Sequence, residues 1–111
     1  MTELIRPALY DAYHAPMPLR EQKAKGAIDI VGPVCESGDF LVKDAPWGSL
    51  ASGDLLVLRG VGAYGREMAS QYNARPRIPE VLVDGNDVRL IRTRGDYSSL
   101  IVGELDQPLQ L

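Results

Sequence analysis

The feature that most limits the fold of this chain is a β-hairpin signal in its last third. Two runs rich in aliphatic and β-branched residues, EVLV and VRLIRTR, flank Asp84-Gly85-Asn86-Asp87 within residues 80–94. Asp, Gly and Asn between two such runs favour a tight turn that reverses the chain. This segment therefore predicts antiparallel pairing between neighbouring strands.

Three shorter runs also predict strands, because they are apolar, rich in β-branched residues and bounded by turn-forming residues. They are AIDIVGPV (27–34), FLVK (40–43) and DLLVLRGV (54–61). Helix signals are few: a short helix is expected from Pro7 to about His14, since proline suits the first helical turn. APMPLREQKAKG (15–26) has two prolines and no periodicity, which predicts a loop. We expect a mainly β, antiparallel, barrel-like (Greek-key type) domain with one or two short helices.

Size and charge narrow the class of protein. With 111 residues the chain is long enough for one domain, and 45% of its residues are hydrophobic, as in an ordinary globular protein. Twelve basic and fifteen acidic residues give a net charge of −3. This balance gives no support to nucleic-acid binding, which needs a basic surface. Arginines do gather in the last third, but acidic residues interleave with them, so we expect a solvated surface there.

The single cysteine, Cys35, excludes an intrachain disulfide. The N-terminal residues lack the apolar segment of a signal peptide, and no apolar run approaches the roughly 18 residues of a membrane span. We therefore expect a soluble, cytoplasmic protein. No spacing typical of metal ligands occurs.

GVGAYG (60–65) satisfies the pattern G-x-G-x-x-G, follows an apolar run and precedes REMASQY, which could be helical. Such a pattern binds a dinucleotide only within parallel βαβ units. Here the glycines come after residue 59, and a proline-interrupted stretch and the hairpin follow instead of a crossover helix. The dinucleotide hypothesis is therefore disfavoured. On the residues alone, a turn with a packed Tyr64 remains the alternative.

Other residues also have ordinary structural interpretations when they are taken alone. A lone cysteine such as Cys35 is typically a small buried hydrophobe. Glu36 would be a loop carboxylate in solvent, and His14 a solvated histidine. Arg6 would be a surface cation and Tyr10 a core residue, although their spacing of four puts them near one helix face.

Five segments, taken in order, make the chain similar to one family. They are IRPALYDAYH (5–14), VGPVCESGDF (31–40), GDLLVL (53–58), GAYG (62–65) and SQYNARPRIPEVLVDG (70–85). Together they resemble the C-terminal region of the diaminopimelate decarboxylases, which depend on pyridoxal 5′-phosphate. The resemblance implies conversion of meso-2,6-diaminopimelate to L-lysine and CO₂ by a homodimer.

The resemblance also implies roles for seven residues. Cys35 matches the proton donor, which reaches into the partner subunit's active site, and Glu36 matches the residue that contacts the distal amino group of the substrate. Ornithine and arginine decarboxylases have an aspartate after this cysteine. The remaining matches are to groups that bind anions. Arg6 and Tyr10 hold the distal carboxylate, and Tyr64 contacts substrate and cofactor phosphate, beside Gly62 and Gly65 whose backbone would approach the phosphate.

Family members have two domains, and the chain matches only the second. A barrel of alternating strands and helices carries the lysine that binds the cofactor covalently. Met1 matches a methionine inside the family's chain, so residues 1–111 are expected to be a fragment that lacks the first strand of the β domain. None of Lys23, Lys25 and Lys43 is a candidate for the cofactor lysine. Two alternatives stay open: a decarboxylase for another basic amino acid, and a non-catalytic binding or dimerisation module.

Overall fold

The computed structural model describes residues 1–20, 26–48 and 50–104. Lys23 and Lys25 lie outside these residues. The chain divides into two compact units, Met1–Ala69 and Ser70–Leu111. Each is described by itself.

The first unit begins with the helix α1, Arg6–Tyr10, which has a proline in its first turn and is shorter than expected. It ends where it does because Asp11 adopts a left-handed conformation with φ of 52°, and its N–H donates to the Arg6 carbonyl. A left-handed residue at this position satisfies a helix carbonyl that has no partner within the helix. The expected extension to His14 is therefore wrong, while the predicted start is confirmed within one residue.

Four strands follow in the first unit and form two antiparallel pairs. β1 (Pro16–Pro18) pairs with β4 (Leu56–Leu58), and β2 (Ile28–Val31) pairs with β3 (Phe40–Ala45). The three strands predicted here are confirmed with different bounds. β1 is a correction, because its residues were expected to be part of a loop.

The two prolines of β1 are compatible with a strand because their backbone nitrogens point away from the partner strand. The Ala15 carbonyl accepts from Arg59 and the Leu19 N–H donates to Leu55, so the odd-numbered positions face β4. Pro16 and Pro18 therefore face away from the partner strand, where a missing N–H costs no ladder bond.

The core of the first unit lies around the end of β3. Val42, Ala45 and Trp47 are buried, and six partly buried aliphatic residues from β2, β3, β4 and the loop before β4 pack against them: Ile28, Ile30, Leu41, Leu50, Leu56 and Leu58. Helix α1 packs on β3. The prediction that His14 is solvated is wrong, because this residue is only 6% exposed. It directly precedes Ala15, whose bond to Arg59 draws this segment into the unit.

The second unit contains the predicted hairpin, which is confirmed. β5 (Glu80–Asp84) and β6 (Asp87–Arg92) pair in antiparallel register, with Asp84 opposite Asp87. Gly85 has φ of +59°, as the first residue of a two-residue type II′ loop requires. Short 3₁₀ turns at Tyr72–Ala74 and Ser98–Leu100 lie on either side of the hairpin.

The expected mainly β, antiparallel fold with short helices is confirmed. All strand pairs among the described residues are antiparallel and every strand there has one partner, so no closed barrel forms in this part of the chain. A barrel needs a neighbour on both sides of each strand. One expectation needs correction: REMASQY is not an α-helix, because its first residues belong to a run of turns over residues 62–68, in which Tyr64 is left-handed. Nowhere in the described ranges is a helix long and apolar enough to cross a membrane.

Candidate ligand site around Arg6

Three of the residues predicted to act together meet in the first unit. The Arg6 guanidinium carbon lies 5.6 Å from the centre of the Tyr10 ring and 5.4 Å from that of Tyr64. With Met68, these side chains line an open cavity of about 360 Å³, which we call the Arg6 cavity. A guanidinium this close to aromatic rings gains a cation–π attraction that holds it in place.

Local structure explains how the cavity is assembled. Arg6 and Tyr10 are four residues apart on α1, which places both on one side of the helix. Tyr64 comes from the turn after β4 and has φ of 71°, a conformation that is costly for an aromatic residue. Residues in such costly conformations cluster at functional sites, where the surrounding structure holds them in place.

The electrostatics of the cavity favour an anion. The Nε atom of Arg6 is buried and has no hydrogen-bond partner among the described residues. A buried donor without a partner costs about 1–3 kcal/mol, and an oxygen of a bound anion would satisfy it. The two tyrosine side chains are 60% and 62% exposed, so the cavity is accessible from solvent.

The two glycines beside Tyr64 differ in their surroundings. A Cβ on Gly65 would lie 2.4 Å from the Val61 carbonyl oxygen, and the Gly65 N–H donates to that oxygen at 3.0 Å. Gly65 is therefore required by the turn itself, and its N–H is already engaged within the turn. Gly62 is exposed, and apart from its two chain neighbours no described residue has an atom within 4 Å of the position its Cβ would take. Gly62 is the glycine beside which a ligand has room.

Cys35 and Glu36 lie on the tight loop between β2 and β3 and do not line the Arg6 cavity. Both are exposed, so the interpretation of Cys35 as a buried hydrophobe is wrong. The Glu36 N–H donates to Val34, and its carboxylate accepts from the Ser37 hydroxyl at 3.3 Å. The thiol and the carboxylate are thus available to a ligand from outside the first unit.

Two residues of interest were missed by sequence reasoning. Met68 lines the Arg6 cavity, and its spacing of four from Tyr64 could have suggested a shared side of one turn. Asp39 is buried at the end of CESGD, directly before β3. A charged residue followed at once by a strand could have suggested a buried role in the loop.

Comparison with known proteins identifies the family of the chain. The family described as "Pyridoxal-dependent decarboxylase, C-terminal sheet domain" matches residues 1–62. The diaminopimelate decarboxylases of Vibrio cholerae and Neisseria meningitidis serogroup A are each 52% identical to the chain, over 101 and 106 residues. These matches cover 90% and 95% of the chain but 24% and 26% of the relatives.

Solved structures lead to the same family. The diaminopimelate decarboxylase of Helicobacter pylori, complexed with L-lysine, superposes with a TM-score of 0.85 at 41% identity, covering 92% of this chain and 25% of that one. The enzyme of M. jannaschii in co-complex with L-lysine gives 0.89 at 39% identity, covering 97% and 25%. The chain thus spans about a quarter of the length of the relatives it matches. By fold and by sequence, the chain belongs to the family of pyridoxal-dependent decarboxylases, as a C-terminal sheet domain.

Proposed function

We propose that the chain is the C-terminal portion of a diaminopimelate decarboxylase, which converts meso-2,6-diaminopimelate to L-lysine and CO₂. The observation that carries this proposal is the Arg6 cavity, where a guanidinium with an unpartnered Nε lies close to two tyrosine rings. A substrate that ends in a second amino-acid centre needs a cation for its distal carboxylate. Arg6 and Tyr10 fill this role.

The residues present also fit pyridoxal phosphate. Tyr64 offers an exposed side chain on the cavity, and Gly62 leaves space beside it, so an anionic group can approach the backbone. Gly65 contributes by holding the turn that presents Tyr64. When bound, the cofactor supplies an electron sink for the bonding pair left behind as CO₂ departs.

Glu36 and Cys35 act on the substrate from the loop between β2 and β3. The Glu36 carboxylate pairs with the distal ammonium group, and the Cys35 thiol donates the proton that Cα takes up in place of the lost carboxylate. Their exposure supports a site shared between subunits, because their side chains can reach a ligand held by another chain.

The partners in this proposal are the barrel domain of the same enzyme and a second subunit. Lys43, the one lysine among the described residues, has its ammonium group 4.1 Å from the centre of the Phe40 ring. It lies on β3 and does not line the Arg6 cavity, so Lys43 is not the cofactor lysine, which in this proposal comes from the barrel domain. The exposed apolar side chains of β5 and β6 support further coverage of this domain by the rest of the enzyme.

The proposal is tested with a fusion enzyme, in which this chain replaces the matching region of the Vibrio cholerae relative. We expect the fusion enzyme to release lysine from meso-diaminopimelate in the presence of pyridoxal phosphate. The isolated chain should show no turnover above a cofactor-only control, and borohydride should trap no stoichiometric adduct on it. Turnover by the isolated chain would contradict the fragment interpretation. A folded fusion enzyme that acts on ornithine or arginine but not on diaminopimelate would contradict the substrate.

A further inference from the structure

We propose that Asp39 is a positioning residue, which together with Gly32 holds Cys35 and Glu36 in place for the reaction. This inference rests on the proposed function. It concerns the loop between β2 and β3, whose residues do not line the Arg6 cavity.

Asp39 holds both ends of this loop through three hydrogen bonds. Its Oδ2 accepts from the Val34 N–H at 2.8 Å, and its backbone carbonyl accepts from the Gly32 N–H at 2.7 Å. Its own N–H donates to the Glu36 carbonyl at 2.9 Å. Cys35 lies between two residues that are bonded to Asp39, so it cannot shift without breaking one of these bonds.

The Asp39 side chain is buried, and both of its carboxylate oxygens have partners. The residue is 3% exposed, and its other carboxylate oxygen contacts the nitrogen of Met1, which is an α-ammonium group in this chain and becomes a peptide N–H in the fusion enzyme. The Val34 bond is therefore a side-chain contact that both forms share. Buried carboxylates require such partners, because desolvation of an unpaired charge is costly. The bond network thus anchors the loop to the interior of the first unit rather than leaving it to solvent.

Gly32 is the complement of this carboxylate. A Cβ on Gly32 would lie 2.3 Å from each of the Asp39 oxygens, far inside van der Waals contact. Gly32 is not among the residues with positive φ, so glycine is needed for space and not for backbone conformation. An alanine at this position would displace the carboxylate while leaving its chemistry unchanged.

The same loop also packs on the helix that bears the anion-binding residues. The position of a Cβ on Gly38 lies 3.6 Å from the Ala8 Cβ, in the middle of α1. Arg6 and Tyr10 lie on either side of Ala8 along this helix. By fixing the loop, Asp39 therefore fixes the placement of the thiol and the Glu36 carboxylate relative to α1.

The test uses the fusion enzyme with Asp39→Ala, Asp39→Asn, Gly32→Ala and the double variant. We expect Asp39→Ala to lower kcat/KM for diaminopimelate about 10- to 100-fold, the scale of one hydrogen bond to a charged group. Because Glu36 and Cys35 both move, KM should rise and kcat should fall. A role in global stability alone would reduce the amount of folded enzyme and leave KM unchanged.

Two internal comparisons sharpen the result. Asp39→Asn keeps one carbonyl acceptor and should recover most of the lost activity. Gly32→Ala should be harmful alone but add little to Asp39→Ala, because both act through the same carboxylate. Asp29→Ala is the matched control: it also removes an acceptor of one backbone N–H bond, to Asp44, on the same sheet but away from the loop. Its kinetics should equal those of the unmodified fusion enzyme.

Hydrogen exchange of peptides spanning residues 32–39 separates this proposal from the proposed function. Asp39→Ala and Gly32→Ala should each speed exchange in this loop, and Asp29→Ala should not. An inactive, folded wild-type fusion enzyme would count against the proposed function. The exchange pattern would then still test whether Asp39 holds the loop in place. Unchanged exchange, or wild-type KM and kcat in Asp39→Ala, would overturn the role of Asp39.

Discussion

Substitution of Gly65 by alanine should destabilise the first unit, and the size of the effect can be estimated from the turn around Tyr64. The added Cβ would lie 2.4 Å from the Val61 carbonyl oxygen, well below the separation that real Cβ atoms show. The carbonyl must withdraw, and it then loses the bond of 3.0 Å from the Gly65 N–H. Overpacking of this kind costs about 1–3 kcal/mol. We expect Gly65→Ala to lower the free energy of unfolding by about 2 kcal/mol.

Gly62→Ala is the matched control, three residues away in the same turn. Its Cβ would enter open space, so the free energy of unfolding should change by less than about 0.5 kcal/mol. Urea unfolding of the isolated chain, followed by fluorescence of Trp47, measures both variants. In the fusion enzyme Gly62→Ala should instead weaken binding of pyridoxal phosphate, because the methyl group occupies space that a ligand would use. Equal stability losses in the two variants would refute this assignment of roles.

Three further predictions concern single side chains. Cys35→Ala should change the free energy of unfolding by less than about 0.5 kcal/mol, since the thiol is exposed, while lowering kcat of the fusion enzyme. Mixing this variant with a fusion enzyme that lacks the barrel lysine should restore activity by subunit exchange; activity that stays at the level of the two parents would exclude action in trans. Glu36→Gln should reduce kcat/KM for diaminopimelate about 10- to 100-fold through loss of the countercharge, and wild-type kinetics would contradict that role. Asp96 should titrate below the ordinary aspartate pKa of about 3.9, because the Ser98 hydroxyl and the Ser99 N–H lower its pKa. Because the pKa of Asp96 is lower in the folded state than in the unfolded state, its ionised carboxylate stabilises the folded turn at pH values above the unfolded pKa. This stabilisation is lost as the pH falls through the folded pKa. NMR titration of the carboxyl carbon measures this pKa, and Asp96→Asn is the control that assigns the signal. A pKa above the ordinary aspartate value would contradict the prediction.

Local features of this protein were determined by the sequence alone. The hairpin at residues 80–94 could be predicted because a two-residue turn and its flanking runs interact over a few residues. The same reasoning predicted the start of α1 and the proximity of Arg6 and Tyr10, which a single helical turn brings together. Each of these depends on backbone preferences that act between near neighbours in the chain.

Residues whose environment depends on distant segments could not be predicted in this way. His14 and Asp39 are polar yet buried, because packing encloses the segments that carry them. β1 forms because β4 lies beside it and provides hydrogen-bond partners for those β1 backbone groups that are not blocked by proline. Cys35, a residue type that is usually buried, is exposed on the loop between β2 and β3.

The candidate site divides along the same line. The motifs identified Arg6, Tyr10 and Tyr64 one by one, but only the tertiary structure brought the guanidinium on α1 close to the ring from the turn after β4. It also separated Gly65, which the turn requires, from Gly62, beside which space is left. The physical reason is that side-chain spacing along one element follows from helix or strand periodicity, whereas contact between elements depends on how their buried faces pack.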